Sequence, residues 1–391
     1  MEGDFIKINE SLLPLSFLYG IGVKFRNMLF DIGILKSRSF DVPVISVGNI
    51  TVGGTGKTPH VEYLVQLLKD EFQVAVLSRG YKRRSRGFVL ADDESRMEDL
   101  GDEPYQIKSK FPNVKVAVDK DRCHGIMMLT DDDRGKNDVD VVLLDDAFQH
   151  RYVKPGISIL LVDYHRLIIY DKLLPAGRLR EPLSGKNRAD IVIVTKCPAD
   201  LRPMEYRVIT KAMNLFPYQK LFFTTLAYGK LKALEGNEER ELDTISKDTH
   251  VLLLTGIASP HQLILDLQPY TSHIHPLTYG DHHSFSDDDF KRINEEFEAL
   301  PEPKLIVTTE KDATRIYGKA GLSAEAKEKM YILPVTIRFM LDQEEMFNQN
   351  IIGYVRKNSR NSILVKAKDD NKSKNGNHTG NRSRTISFRN H

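Results

Sequence analysis

Apolar positions along the chain follow two different periods. Between residues 17 and 35, Phe17, Ile21, Phe25, Met28, Ile32 and Leu35 recur at spacings of three and four. Leu18 and Leu29 widen this stripe, whereas Lys24, Arg26, Asn27 and Asp31 lie off it. That is the period of an amphipathic helix. From residue 42 onward the pattern changes to short, continuous Val/Ile/Leu runs at 42–47, 73–77, 114–118, 139–144, 158–162 and 191–195. Runs without alternation predict strands covered on both faces. Val61, Leu64, Val65 and Leu68 recur at helical spacing within 60–69. The order strand, glycine-rich loop, helix, strand predicts a parallel sheet with right-handed crossovers. Further runs at 221–226, 251–255 and 304–308, with helical stretches between them, predict a second, smaller α/β lobe after a domain change near 217–226.

The charge distribution adds a tail to this picture. Residues 356–391 carry ten Lys/Arg against two Asp, which leaves 46 Lys/Arg against 52 Asp/Glu in residues 1–355. A mildly acidic body argues against a nucleic-acid-binding core. The tail is rich in Asn, Lys, Ser and Gly and lacks the apolar content to pack. It is expected to be a disordered extension or an electrostatic tether to anionic lipid. The expected organisation is therefore an amphipathic region over 1–40, a first domain over 41–220, a second lobe over 221–355 and a basic tail over 356–391. At 391 residues, with 41% hydrophobic and 28% charged residues, the chain suits a two-domain globular protein. Its two cysteines cannot build a disulfide framework or a four-thiolate metal site. The N-terminus lacks the positive segment of a secretory signal. The apolar stretch 11–23 is too short to span a bilayer, for which about 20 residues are needed. Its helix either packs on the protein's own core or lies flat in a lipid interface.

Candidate chemistry begins at Thr51-Val52-Gly53-Gly54-Thr55-Gly56-Lys57-Thr58, between a strand and a helix. Such a loop aims successive backbone N–H groups and a helix N-terminus at a phosphate. Lys57 would reach the β- and γ-phosphates and Thr58 would ligate Mg²⁺. The usual P-loop pattern has glycine where this chain has Thr51, so glycines 53 and 54 are expected to supply the freedom instead. The run 141–144 ends in Asp145-Asp146, which resembles a Walker B element placed at the carboxyl end of a parallel strand. One of these carboxylates would hold Mg²⁺. The fold class is thus α/β: a P-loop NTPase-like parallel sheet flanked by helices, with a second lobe and an N-terminal amphipathic helix.

This fold hosts GTPases, ATPases and small-molecule kinases alike. A guanine-reading element should carry Asp four residues into Thr195-Lys196-Cys197, and Pro198 stands there. A kinase needs a group to position an acceptor hydroxyl and cations around the transferred phosphoryl. Arg79, Asp102-Glu103, Arg122, His150, Arg180, Glu181 and the cluster Asp281-His282-His283 are candidates. The alternative is a P-loop switch or assembly ATPase or GTPase without small-molecule kinase activity.

Six ordered strings narrow the choice. They are Gly48-Asn49 with 52–59, Ser78-Arg79-Gly80-Tyr81, Gly101-Asp102-Glu103-Pro104, the segment 144–151 containing Asp145-Asp146-Ala147-Phe148-Gln149-His150-Arg151, the segment 174–182 containing Gly177-Arg178-Leu179-Arg180-Glu181-Pro182, and Thr309-Glu310-Lys311-Asp312-Ala313. Together, over roughly 10–355, they resemble the tetraacyldisaccharide 4′-kinases of lipid A synthesis. The resemblance implies transfer of the γ-phosphoryl of ATP to the 4′-hydroxyl of an acylated disaccharide 1-phosphate, giving lipid IVA. It further implies two α/β lobes with the active site in their cleft, and a peripheral enzyme on the cytoplasmic face of a Gram-negative inner membrane. No nucleic acid or obligate protein partner is implied. Carried over, Asp102 is the expected base and His282, or the adjacent His283, its partner. Lys57, Arg122, Asp145 and Asp146 are expected to be catalytic. Thr58, Glu103, Asp145 and Asp146 are the expected Mg²⁺ ligands. Arg79, Gln149, His150, Arg180 and Glu181 are expected at the substrate. A substrate that cannot leave the bilayer favours interfacial insertion of Phe17, Leu18, Ile21 and Phe25.

Overall fold

The computed structural model describes residues 6, 8–131, 139–257, 260–281 and 283–359. Fifteen strands are found among these: β1 (Val44–Gly48), β2 (Val74–Ser78), β3 (Val89–Leu90), β4 (Lys115–Val118), β5 (Val141–Asp145), β6 (Ile157–Asp163), β7 (Ile191–Thr195), β8 (Lys220–Tyr228), β9 (Leu231–Ala233), β10 (Glu239–Arg240), β11 (His250–Thr255), β12 (Ile274–Thr278), β13 (Lys304–Thr309), β14 (Met330–Leu333) and β15 (Val335–Phe339). They form a nine-stranded sheet in the order β15-β8-β7-β6-β1-β5-β2-β4-β3 and a six-stranded sheet in the order β10-β9-β14-β13-β11-β12. From β8 to β4 the large sheet is parallel, with β15 and β3 added antiparallel at its edges. The helices are α1 (Leu13–Asp31), α2 (Lys57–Leu68), α3 (Met97–Leu100), α4 (Asp102–Lys110), α5 (Arg122–Thr130), α6 (Pro203–Met213), α7 (His261–Leu267), α8 (Asp287–Glu298), α9 (Glu310–Ile316), α10 (Ala324–Glu328) and α11 (Glu344–Asn358).

The uninterrupted apolar runs are explained by cover on both faces. Ile45 and Val47 join one core with Val61, Leu64 and Leu68 of α2. Val44, on the opposite face of the same strand, joins another with Ile126 and Leu129 of α5. Successive side chains of a strand point to opposite faces, so both must be apolar here.

The chain does not divide at residue 220 as expected. β8 begins there but completes the large sheet, the smaller sheet is built from 231–333, and β15 then returns to pair with β8. Phe339 of β15 and Phe347, Ile351 and Val355 of α11 are buried in the core that contains α2. The short strands β3, β9, β10 and β12 carry too few apolar residues for their periodicity to be read from sequence. Residues 356–359 continue α11 and its cap. The remainder of the expected tail lies outside the described residues.

The expected stripe of α1 faces outward. Phe17 is 70% exposed, Ile21 51% and Phe25 56%, with Leu18, Met28 and Ile32 exposed beside them. The buried residues of the helix are Ser16, Gly20 and Phe30. Polar contacts hold this narrow side. Ser16 Oγ donates to the Leu173 carbonyl at 2.9 Å and accepts from the Ala176 N–H at 2.9 Å. Tyr19 donates to the Arg180 carbonyl at 2.8 Å, and Arg151 pairs with Asp31 at 2.6 Å. Ala176, Arg180 and Arg151, which help to seat α1, thus belong to two of the six strings. Among the described residues no helix is long and apolar enough to cross a membrane.

Candidate active site

The phosphate loop joins β1 to α2. Gly53 (φ +114°) and Gly56 (φ +78°) take the left-handed backbone conformation, and Gly56 is the N-cap of α2. Gly54 does not share it, so Gly53 and Gly56 make the turns. Thr51 is accommodated for a separate reason. It is buried and forms an antiparallel bridge with Leu179, flanked by Val52 N–H to Arg178 O and Arg180 N–H to Ile50 O, both 2.8 Å. A residue held in extended pairing has no need of glycine.

Side chains below the loop fix its shape. Asn49 donates to Thr55 Oγ1 at 2.8 Å, Thr195 Oγ1 donates to the Thr55 carbonyl at 3.0 Å, and Gln149 donates to the Asn49 carbonyl. His60, which the sequence reading passed over, lies buried between the Gly56 carbonyl (2.7 Å) and Thr224 Oγ1 (3.1 Å). Burial pushes its imidazole down to about 4, so it is a neutral strut at physiological pH. Lys196 donates to the Gly54 carbonyl and pairs with Asp163 at 2.8 Å. The Thr195-Lys196 pair therefore braces the phosphate loop, which accounts for it without guanine recognition.

Lys57 is the first residue of α2 and Thr58 the second. Lys57 Nζ stands 3.7 Å from Asp146, and Arg180 approaches the other Asp146 oxygen at 3.6 Å. Asp146 has φ +45°, a conformation rare for a non-glycine residue and common at functional sites. Asp145 is buried at the end of β5 and accepts from Ser78 Oγ at 3.2 Å. Burial, reinforced by Asp146 and Glu103, pushes its carboxyl up to about 6. Asp145 Oδ1 and Asp146 Oδ1 are buried with no hydrogen-bond partner among the described residues. Two buried carboxylate oxygens without hydrogen bonds, beside a phosphate loop, suit a hard divalent cation.

Arg122 is buried at the start of α5 and donates to the Asp145 carbonyl at 3.4 Å. Burial lowers its pKa, with Asp145 and Asp146 opposing the shift. Arg79 lies exposed just past β2, close enough for its charge to act on Arg122 and His150. Glu181 turns inward instead. It is buried and pairs with Arg188 at 2.6 Å, which makes it a support for the loop that carries Arg180.

The smaller sheet contributes a row of charges from α9. Glu310 meets Lys110 at 2.9 Å, Lys311 meets Glu103 at 2.9 Å and Asp281 at 3.1 Å, and Arg315 clasps Asp102 through Nη2 and Nε. Asp312 anchors this arrangement. It is buried, binds Arg315 at 2.9 Å and accepts from the Gly256 N–H at 2.9 Å. Burial acts to lower the Lys311 pKa, yet Glu103 and Asp281 raise it overall. Asp102 and Glu103 open α4 after Gly101. Arg315 was not anticipated, although it lies two residues beyond the Thr309–Ala313 string that pointed to α9. His282 lies outside the described residues. His283 is engaged elsewhere, with Asp289 at 2.9 Å and stacked on Tyr279.

Lys57, Thr58, Glu103, Arg122, Asp145, Asp146 and Arg180 thus gather around one phosphate loop, with Asp102 held from the smaller lobe. Comparison with known proteins identifies the family. A family model described as tetraacyldisaccharide-1-P 4′-kinase matches residues 8–356. The tetraacyldisaccharide 4′-kinase of Phocaeicola vulgatus is 59% identical over 365 residues, covering 93% of this chain and 99% of that protein. That of Bacteroides fragilis strain ATCC 25285 is 55% identical over 378 residues, covering 95% and 100%. The crystal structure of the "apo" form of LpxK from Aquifex aeolicus in complex with ATP superposes with a TM-score of 0.67 at 31% identity, covering 89% of this chain and 99% of that one. The chain belongs to the tetraacyldisaccharide 4′-kinase family.

Proposed function

We propose that this protein transfers the γ-phosphoryl of ATP to the 4′-hydroxyl of a tetraacyldisaccharide 1-phosphate at a membrane surface, giving lipid IVA. The observation that carries this reading is the clasp between Arg315 and Asp102, next in sequence to Glu103, whose charge acts on Asp145. It brings a candidate acceptor-positioning carboxylate from α4 under the control of the second lobe.

The phosphate loop and the N-terminus of α2 cradle the triphosphate, and Lys57 follows the β- and γ-phosphates as charge moves. Arg180 and Arg122 add positive charge around the transferred group, and Arg79, whose charge acts on Arg122, is a candidate for the acceptor's phosphate. Thr58, Glu103, Asp145 and Asp146 would hold Mg²⁺, which when bound neutralises phosphate charge. The Asp145 and Asp146 oxygens that accept no hydrogen bond suit that role. Asp102 orients the 4′-hydroxyl and accepts its proton, with His282 as its expected partner. A loose transition state asks little of base strength, so a carboxylate held by Arg315 suffices mainly by positioning. Gln149 and Glu181 act indirectly, by supporting the loops that carry Asn49 and Arg180.

The outward stripe of α1 supplies the membrane contact, on the cytoplasmic face of the inner membrane. Phe17→Ser/Phe25→Ser is expected to weaken binding to phospholipid vesicles by at least about tenfold, since burying each Phe contributes about 2 kcal/mol. Both side chains are exposed, so the variant retains the fold. Co-sedimentation checks this, and undiminished binding would refute insertion by the stripe.

Incubating the protein with ATP, Mg²⁺ and tetraacyldisaccharide 1-phosphate in detergent micelles is expected to yield the 4′-phosphorylated lipid. A folded, ATP-binding protein that forms no product would overturn the assignment.

A further inference from the structure

Arg122 has two sequence neighbours that the phosphoryl-transfer site does not use. Asp121 is the N-cap of α5, and its Oδ1 accepts from the N–H groups of Cys123 at 2.9 Å and His124 at 3.3 Å. Cys123 sits in the first turn, with Sγ donating to the Tyr152 carbonyl at 3.4 Å. His150 comes from the loop after β5. A carboxylate oxygen of Asp121, the Cys123 sulfur and a ring nitrogen of His150 all lie within 4.8 Å of one another. His150 Nε2 is buried and has no hydrogen-bond partner among the described residues. A buried ring nitrogen left unpaired is costly unless a ligand meets it.

We propose that Asp121, Cys123 and His150 bind a divalent ion of the Zn²⁺ class, at a site separate from the Mg²⁺-binding carboxylates. One sulfur, one imidazole nitrogen and one carboxylate oxygen form a borderline-soft donor set that suits Zn²⁺ and not Mg²⁺, which takes oxygen ligands. Three protein ligands leave a fourth tetrahedral position for water. Tetrahedral Zn²⁺ with bonds of about 2.0–2.3 Å sets its ligand atoms roughly 3.3–3.7 Å apart. An inward movement of about one ångström closes the site. Exposed Asp121 and half-buried Cys123 can make that movement from the surface.

The two protonation states act on ligation in opposite directions. Burial, reinforced by Arg122, pushes His150 down to about 4, so its imidazole is neutral and ready to ligate at physiological pH. Burial and the Asp121 charge raise the Cys123 thiol. Binding therefore releases the thiol proton to solvent as the metal–sulfur bond forms. An occupied site would tie the N-terminus of α5, and Arg122 with it, to the loop following Asp145-Asp146.

Co²⁺ titration of the reduced full-length protein tests this. A thiolate-to-cobalt charge-transfer absorption in the near ultraviolet is expected, and it should be displaced by one equivalent of Zn²⁺. The chain has two cysteines, and Cys197 is buried against the Val194 carbonyl, away from this cluster. Cys123→Ser is expected to abolish the absorption and weaken Zn²⁺ binding at least about tenfold. Asp121→Asn, which keeps an oxygen to cap α5, should also weaken Zn²⁺ binding while circular dichroism confirms the fold. Absence of the absorption in folded wild type would overturn the proposal. So would its persistence in Cys123→Ser, or unchanged Zn²⁺ affinity in that variant.

Discussion

Lys57→Ala is expected to lower kcat for phosphoryl transfer by about a thousandfold, close to 4 kcal/mol of transition-state stabilisation. Lys57 opens α2 directly after the left-handed Gly56, which places its ammonium where the proposed reading puts the β- and γ-phosphates. Its partner is Asp146, 3.7 Å away and also approached by Arg180. Removing the ammonium takes away charge that matters most as negative charge shifts between the β- and γ-phosphoryl oxygens. Arg180 remains to pair with Asp146, so the local structure should persist. Steady-state kinetics, with circular dichroism to verify folding, would measure this effect. Turnover equal to wild type would show that the phosphate loop does not serve the reaction.

Asp102→Asn should lower kcat by roughly a hundredfold or more while nucleotide affinity stays within a few-fold of wild type. The carboxylate stands at the start of α4 with Oδ2 held by Arg315. Asparagine keeps an oxygen for Arg315 but loses the charge and the capacity to accept the hydroxyl proton. Alanine would do more, because Arg315 is buried and would lose the carboxylate it clasps on α4. Its extra loss would combine catalysis with stability. The Asn variant isolates the chemistry. Wild-type kcat in that variant would exclude Asp102 as the positioning base.

Much of the site was legible because it is local. A phosphate loop is a continuous string, and its position between a strand and a helix follows from hydrophobic periodicity alone. Asp145-Asp146 was likewise readable at the end of an apolar run. Glu181 illustrates the limit. Its place in the string with Arg180 suggested a substrate contact, yet it is buried on Arg188. Neighbours in an irregular segment can point in opposite directions, and no period reports which one turns inward. His60 and Arg315 were missed for a related reason. Each matters through a partner far away in sequence, Thr224 and Asp102 respectively.

The division of the chain shows the same boundary between local and long-range information. Continuous apolar runs located the main strands to within a residue or two, since burial on both faces imposes its own composition. They could not show that β15 and α11 return to the first sheet after the second is complete, because strand pairing joins segments of any separation. The N-terminal stripe carries the clearest lesson. The sequence by itself determined that α1 is an amphipathic helix, because a period near 3.6 is a property of the segment. Only the tertiary structure decided which side faces outward. Ser16, Tyr19 and Asp31 find polar partners on the loops that carry Leu173, Arg180 and Arg151, and that seating leaves Phe17, Ile21 and Phe25 exposed. Periodicity shows that an apolar face exists, but what covers it depends on the surfaces that the rest of the chain presents.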